Sequence, residues 1–106
     1  MSTMSTRKAD LSSLAANAEH AAAMLRALAN ERRLMILCLL IEAGEVNAGE
    51  LAQEVGLSQS ALSQHLAKMR EEGLVTFRRE AQSVHYRIAD PNVKRLIAVL
   101  KNIYCD

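Results

Sequence analysis

The sequence predicts a mainly α-helical fold with a small β-hairpin near its C-terminal end. The chain has 106 residues, the length of a single domain. Half of them are hydrophobic but only 3% are aromatic, so aliphatic side chains must build the core, a mixture that favours helices over a β-sandwich. Residues 74–88 depart from the helical period and alternate with period two around a short polar turn, which predicts the hairpin.

The N-terminal end is predicted to contain a leader followed by a first helix. Residues 1–10 are polar and are predicted to be disordered, which leaves residues 11–106 as the domain. Residues 11–28 are rich in alanine and predict a helix. Its apolar stripe consists of Leu14, Ala18, Ala21, Leu25 and Leu28.

A second helix is predicted to begin after Asn30, which is a good N-cap, and to end at Gly44. Its apolar residues follow the spacing i, i+3, i+4, i+7 and are Leu34, Leu37, Cys38 and Ile41. This spacing predicts that Cys38 lies on the buried face.

Two further helices are predicted in close succession. Asn47 and Glu50 form a capping box at the start of a short third helix, and Gly56 ends it. Ser58 then caps a fourth helix, which Gly73 terminates. A short helix, a turn and a longer helix are typical of a helix-turn-helix.

The hairpin follows the fourth helix directly, and a last helix follows the hairpin. Asp90 is predicted to cap this last helix, with Pro91 at its first position. Its apolar stripe is Val93, Leu96, Ile97, Leu100 and Tyr104. The order α-α-α-α-β-β-α, with a hairpin directly after a helix-turn-helix, predicts a winged helix-turn-helix.

The fourth helix predicts a surface that binds DNA. Side chains that hydrogen-bond base edges and phosphates cluster on and just before its polar face, namely Ser58, Gln59, Ser60, Ser63, Gln64, His65 and Lys68. The same face on an isolated helix would be typical of ordinary solvent exposure. Its position in the second helix of a helix-turn-helix favours DNA.

The hairpin predicts a second DNA contact. It carries Arg78, Arg79 and Arg87, with Gln82 at the tip, and a ribbon of this kind can lie along a DNA backbone. A charged edge that blocks strand pairing is the alternative interpretation. The net charge is +1 overall, but residues 58–106 contain eight basic and five acidic residues, so the basic half coincides with these elements.

The two cysteines and three histidines predict no metal site. Cys38 and Cys105 are far apart in sequence, and His20, His65 and His85 show no metal-ligand spacing. Cys38 lies within a helix with no base near it in sequence, which argues against a thiol enzyme. No cofactor is expected. No apolar run reaches the length of a membrane span and no signal peptide is evident, so a cytoplasmic protein is predicted.

Several of these segments together resemble the ArsR (SmtB/ArsR) family of bacterial repressors. They are residues 28–37, residues 49–52 with 57–66, residues 73–75, and the stretch from Arg79 to Ile88. The resemblance implies a homodimer formed through the first and last helices. It also implies a repressor that binds an imperfect inverted repeat in operator DNA and leaves it when an inducer arrives.

The cysteines resemble those of the thiol-sensing subgroup typified by BigR, HlyU, YgaV and SqrR, with one in the second helix and one near the C-terminus. This resemblance implies that reactive sulfur species such as persulfides link Cys38 to Cys105 and lower DNA affinity. It leaves open whether the link is a disulfide or a polysulfide. Burial makes a thiol less reactive, so Cys105 is predicted to react first and Cys38 to resolve the intermediate.

Two alternatives stay open. One is a metal-responsive ArsR-type repressor with an atypical site, although the third helix has no cysteine near residues 51–54 and no histidine follows Asp90. The other is a winged helix whose cysteines are structural and whose inducer is different.

Overall fold

The computed structural model describes residues 4–105, and it describes side chains from residue 11 onward. The chain forms two units, of which the first ends at Asn30 and the second begins at Glu31. The elements in order are α1 (Met4–Leu28), α2 (Glu31–Ala43), β1 (Val46–Asn47), α3 (Ala48–Val55), α4 (Gln59–Glu71), β2 (Val75–Glu80), β3 (Ser83–Ile88) and α5 (Pro91–Tyr104). This order confirms the predicted winged helix-turn-helix and adds β1.

In the described residues, the first unit consists of α1. This helix begins at Met4, so the predicted start at Leu11 is wrong. The reason is that neither proline nor glycine occurs in residues 4–28 to interrupt a helix. For residues 4–10, the helix replaces the predicted disordered leader. Residues 1–3 lie outside the described part of the chain, and for them the leader stays a prediction.

The second unit is built around one aliphatic core. Its largest fully buried side chains come from α2, α3, α4, β2 and α5, and they are Ile36, Leu37, Leu40, Leu51, Leu62, Leu66, Met69, Ile97, Val55, Val75 and Val93. Burial of this apolar surface is the main term that stabilises the unit. No aromatic ring belongs to this group, as the composition predicts.

The buried face of α2 differs from the predicted one. Its buried residues are Arg33, Ile36, Leu37 and Leu40, so Cys38 is only half-buried and its predicted place on the buried face is wrong. The reason is that Arg33 occupies an inward position. Its Nη1 donates to Glu72 Oε1 at 2.8 Å, which provides the buried guanidinium with a charged partner at that position.

The helix-turn-helix forms with the predicted caps. Asn47 Oδ1 accepts hydrogen bonds from the backbone N–H of Gly49 at 2.8 Å and of Glu50 at 3.3 Å at the start of α3. Gly56 ends α3 in the left-handed conformation with φ of 69°, which glycine adopts at low cost. Ser58 Oγ accepts from the backbone N–H of Ala61 at 3.1 Å and caps α4.

The hairpin belongs to a three-stranded antiparallel sheet with the strand order β1-β3-β2. Phe77 pairs with Tyr86 and Arg78 with His85. The sequence did not predict β1, because a strand of two residues is too short to show alternation. Within the described range, residues 4–105, no helix is long and apolar enough to cross a bilayer.

Candidate nucleic-acid interface and thiol pair

The predicted DNA-reading residues of α4 lie on its solvent side. Leu62, Leu66 and Met69 hold the opposite side of the helix in the core. Six of the predicted residues on and just before α4 are exposed, namely Ser58, Gln59, Ser60, Ser63, Gln64 and Lys68. The structure therefore brings this set together, and its hydroxyl and amide groups remain accessible to a ligand that approaches the helix.

His65 differs from the other predicted residues of α4 because it is half-buried. It lines an open pocket of about 220 Å³ together with Arg33, Gln64 and Lys68. Arg33 lies on α2 and was not predicted as a site residue. The signal that could have found it is a charged side chain at an inward position of an otherwise apolar helix.

The structure separates the predicted basic residues of the hairpin into two groups. Residues directly opposite each other in an antiparallel pair share a face of the sheet, and neighbours along a strand point to opposite faces. Arg78 pairs with His85 and Arg87 with Thr76, so these side chains share one face. Arg79 belongs to the other face. Gln82 is exposed in the loop between the strands.

Arg78 is engaged within the chain. Its Nε donates to Glu45 Oε1 and Oε2 at 3.1 and 3.0 Å, and its Nη2 donates to Glu45 Oε1 at 2.8 Å. Its Nη1 also donates to Glu80 at 3.2 Å. These hydrogen bonds from Arg78 are the main reason that the pKa of Glu45 lies below its ordinary value. A DNA phosphate would have to compete with both carboxylates for this guanidinium.

Arg79 and Arg70 both approach the ring of Phe77. The guanidinium carbon of Arg70 lies 4.8 Å from the ring centroid and that of Arg79 lies 5.6 Å from it. Phe77 in turn contacts Tyr86 across the sheet, with the ring centroids 5.5 Å apart. Arg70 was not predicted as a site residue, and it adds an exposed cation where the end of α4 meets the sheet.

Cys38 of α2 and Cys105, just after α5, lie within side-chain hydrogen-bond reach of each other where α2 packs against α5. Both are free thiols, Cys38 half-buried and Cys105 exposed. Burial is the main cause of the raised pKa of Cys38, and the neighbouring Cys105 thiol raises it further through charge and hydrogen bonding. The sequence alone could not establish this proximity, because it depends on how two helices from opposite ends of the second unit pack.

An ion pair lies one helical turn from the thiols. Lys101 Nζ is 3.5 Å from Glu42 Oε2. Glu42 raises the pKa of Cys38 and Lys101 lowers it. In the described part of the chain, no group of three or more His, Cys, Asp or Glu side chains is arranged to hold a metal ion.

Comparison with known proteins identifies the family of the chain. The family model described as "Bacterial regulatory protein, arsR family" matches residues 30–76. The HTH-type transcriptional regulator YgaV of Escherichia coli is 50% identical over 96 residues, which cover 91% of this chain and 97% of that protein. The transcriptional activator HlyU of Vibrio cholerae is 48% identical over 96 residues, which cover 91% of this chain and 88% of that protein.

A solved structure agrees with these sequence matches. The transcriptional repressor BigR from Xylella fastidiosa superposes with a TM-score of 0.80 at 36% identity, covering 90% of this chain and 96% of that one. The family model spans the helix-turn-helix, α3 and α4. The chain therefore belongs to the arsR family of bacterial regulatory proteins.

Proposed function

We propose that the chain is a homodimeric repressor of transcription in the cytoplasm, and that linkage of Cys38 to Cys105 by a reactive sulfur species lowers its affinity for operator DNA. The observation that carries this proposal is the meeting of the two thiols where α2 packs against α5. The family consists of regulators and not of enzymes, as the sequence predicts.

The proposed DNA contacts combine α4 with the hairpin. The exposed side chains of α4 read base edges in the major groove, and Lys68 and His65 contact the backbone. Arg79, Arg87 and Gln82 of the hairpin extend the contact along the duplex. Arg78 joins this contact only as it leaves Glu45. The DNA sites are the two halves of an imperfect inverted repeat.

The proposed dimer rests on apolar surface that a single chain leaves exposed. In α5, Val93 and Ile97 are buried, whereas part of the predicted apolar stripe faces solvent. The exposed large apolar side chains of α5 are Leu96, Val99, Ile103 and Tyr104, and those of α1 are Leu11, Leu14 and Leu25. Apolar surface of this kind favours burial against a second copy of the chain.

The proposed linkage consumes a hydropersulfide, R–S–SH. The exposed Cys105 thiolate attacks the terminal sulfur, forms Cys105–S–SH and releases RS⁻. The Cys38 thiolate then attacks the Cys105 sulfur, forms the disulfide and expels HS⁻. Two thiols thus lose two electrons and two protons, and the hydropersulfide is reduced to RSH and H₂S. Additional sulfane sulfur would give a polysulfide bridge.

The linkage acts on DNA binding through the two helices that it joins. α2 packs against α3 of the helix-turn-helix, and α5 carries the apolar surface assigned to the dimer. A covalent bridge between α2 and α5 biases the spacing of the two α4 helices, which must match about one turn of DNA. A bias of about 3 kcal/mol lowers the affinity roughly a hundredfold.

Mass spectrometry of peptides tests the linkage directly. Reduced protein is treated anaerobically with a small hydropersulfide, digested without reductant, and searched for a peptide that joins Cys38 to Cys105. Loss of two hydrogens identifies a disulfide, and added sulfur identifies a polysulfide. Products confined to linkages between subunits, or persulfides that never join the two residues, contradict the proposal.

The DNA contacts are tested by anisotropy with a labelled duplex from upstream of the chain's own gene. Wild type is expected to bind with a steep salt dependence. Replacing Gln64 by Ala lowers affinity for this duplex more than for a scrambled one, because base contacts carry specificity. Equal losses on both duplexes would remove Gln64 from base reading. DNA release by Zn²⁺ alone would favour the metal-responsive alternative.

A further inference from the structure

The thiol pair and the Glu42–Lys101 ion pair are two adjacent contacts between α2 and the end of α5. Cys38 and Glu42 are four residues apart on α2 and share a helix face. Lys101 lies in the last turn of α5, and Cys105 is the C-cap residue whose backbone N–H donates to the Lys101 carbonyl oxygen. Cys38 meets Cys105 and Glu42 meets Lys101, which means that the two helices run antiparallel here. Four residues of helix rise about 6 Å, so each charge lies about one turn from a sulfur.

We propose that Lys101 and Glu42 are positioning residues that set the reactivity of Cys38, with Lys101 promoting its thiolate and Glu42 opposing it. This inference rests on the proposed function, because it concerns the thiol that closes the bridge. It assigns a role to an ion pair that neither the DNA surface nor the core uses.

The physical argument is that the Lys101 ammonium stabilises two anions, the Glu42 carboxylate and the thiolate that forms when Cys38 loses its proton. Lys101 Nζ lies 3.5 Å from the Glu42 carboxylate, so in the reduced protein much of its field is compensated. The Lys101 side chain is 34% exposed and that of Glu42 is 64% exposed, so solvent weakens both charges without removing them. Burial is the main cause of the raised pKa of Cys38, and the compensated Lys101 charge lowers it only in part, which disfavours the reactive thiolate.

The same arrangement favours the resolving role of Cys38. A resolving thiol acts on a sulfur held beside it, so a low thiolate fraction is offset by proximity. A neutral Cys38 therefore discriminates against free oxidants while it still closes the bridge with Cys105. The titratable and charged groups that act on Cys38 are Lys101 of α5, Cys105 just after α5, and Glu42 of its own helix.

The test is the rate at which iodoacetamide alkylates Cys38, measured across a pH series. The full-length chain carries Cys105→Ser, so that a single thiol reacts. K101Q is expected to move the midpoint of the rate profile to higher pH and to slow alkylation at neutral pH about threefold. E42Q is expected to move the midpoint to lower pH and to raise the rate about threefold.

Two controls separate charge from structure. K101R keeps the charge and is expected to restore the wild-type midpoint. K94Q removes an exposed cation from the first turns of α5 and is expected to leave the midpoint unchanged. Unchanged midpoints in both K101Q and E42Q would overturn the inference, as would a K101R profile that matches K101Q.

The result is independent of the proposed function. Alkylation is measured without DNA and without a sulfur donor, so the charge effect is observed whatever happens to the operator complex. If the midpoints shift but no Cys38–Cys105 linkage forms, the proposed function fails and the positioning role stands. If linkage forms and the midpoints do not shift, the positioning role fails alone.

Discussion

The guanidinium of Arg78 donates to both carboxylate oxygens of Glu45 at 2.8–3.1 Å. Glu45 immediately precedes β1 and Arg78 lies in β2, although β3 separates these two strands in the sheet. The ion pair therefore spans the sheet and ties the end of α2 to the hairpin. It also occupies an arginine that the sequence assigns to DNA.

Replacing Glu45 by Gln is expected to strengthen DNA binding. Loss of the carboxylate removes the competitor for the Arg78 guanidinium, so we expect affinity to rise about threefold and the salt dependence to steepen by up to about one phosphate contact. Anisotropy over a salt series measures both. Glu19→Gln, on α1, is the charge-matched control. Weaker binding by Glu45→Gln, with Glu19→Gln unchanged, would show that the Arg78–Glu45 ion pair orients the hairpin for DNA.

The same ion pair predicts a dependence of stability on pH. The pKa of Glu45 in the folded chain lies below its ordinary value, chiefly because of hydrogen bonds from Arg78. The stabilising contribution is therefore present above the ordinary pKa of glutamate, about 4.3, and is lost as pH falls through the lowered value. Urea midpoints of wild type and Glu45→Gln are expected to converge on acidification. A constant difference between them would contradict this prediction.

Ala81 predicts a stabilising substitution in the hairpin loop. It has φ of 56°, a left-handed conformation that costs a residue with a Cβ about 1 kcal/mol. Ala81→Gly removes this cost from the folded state. Glycine also raises the entropy of the unfolded chain, which offsets part of the gain, so the free energy of unfolding should rise by about 0.5 kcal/mol. Ala81→Val should lower it, because a β-branched residue tolerates positive φ poorly. Urea denaturation that shows the reverse order would contradict the assigned loop conformation.

Val99 tests the proposed dimer. Its side chain is 55% exposed on α5, so a charged residue there should leave the fold of one chain intact. Val99→Glu is expected to shift the protein toward monomers in light scattering. It is also expected to lower DNA affinity about tenfold or more, because two monomers then bind the two half-sites independently. Asn102→Glu, at an exposed polar position of the same helix, is the control. A dimeric Val99→Glu protein would place the interface elsewhere.

Local patterns were sufficient to predict most of the fold. The caps at Asn47, Ser58 and Asp90 act on backbone groups within a few residues, so their effect is visible in sequence. The buried face of α2 was predicted about one position away from the observed one. The cause is Arg33, whose burial depends on Glu72, a residue that only the tertiary fold brings close.

Part of the candidate site could likewise be predicted from local patterns, and part depends on the tertiary fold. The exposed face of α4 could be predicted from helical periodicity alone. The separation of Arg78 from Arg79 depends on strand register, and the engagement of Arg78 depends on Glu45, so neither was visible in sequence. Arg70 was missed because its contact with Phe77 joins a helix to a strand.

The most direct test of the central claim is DNA affinity in the two states of the thiols. Fluorescence anisotropy with a labelled duplex from upstream of the chain's own gene gives the Kd of fully reduced protein and of protein treated anaerobically with a hydropersulfide, at one salt concentration. We expect treatment to raise the Kd about a hundredfold, a reductant to restore it, and Cys38→Ser and Cys105→Ser to bind equally well before and after treatment. An unchanged Kd in wild-type protein whose Cys38–Cys105 linkage is verified by mass would contradict the account.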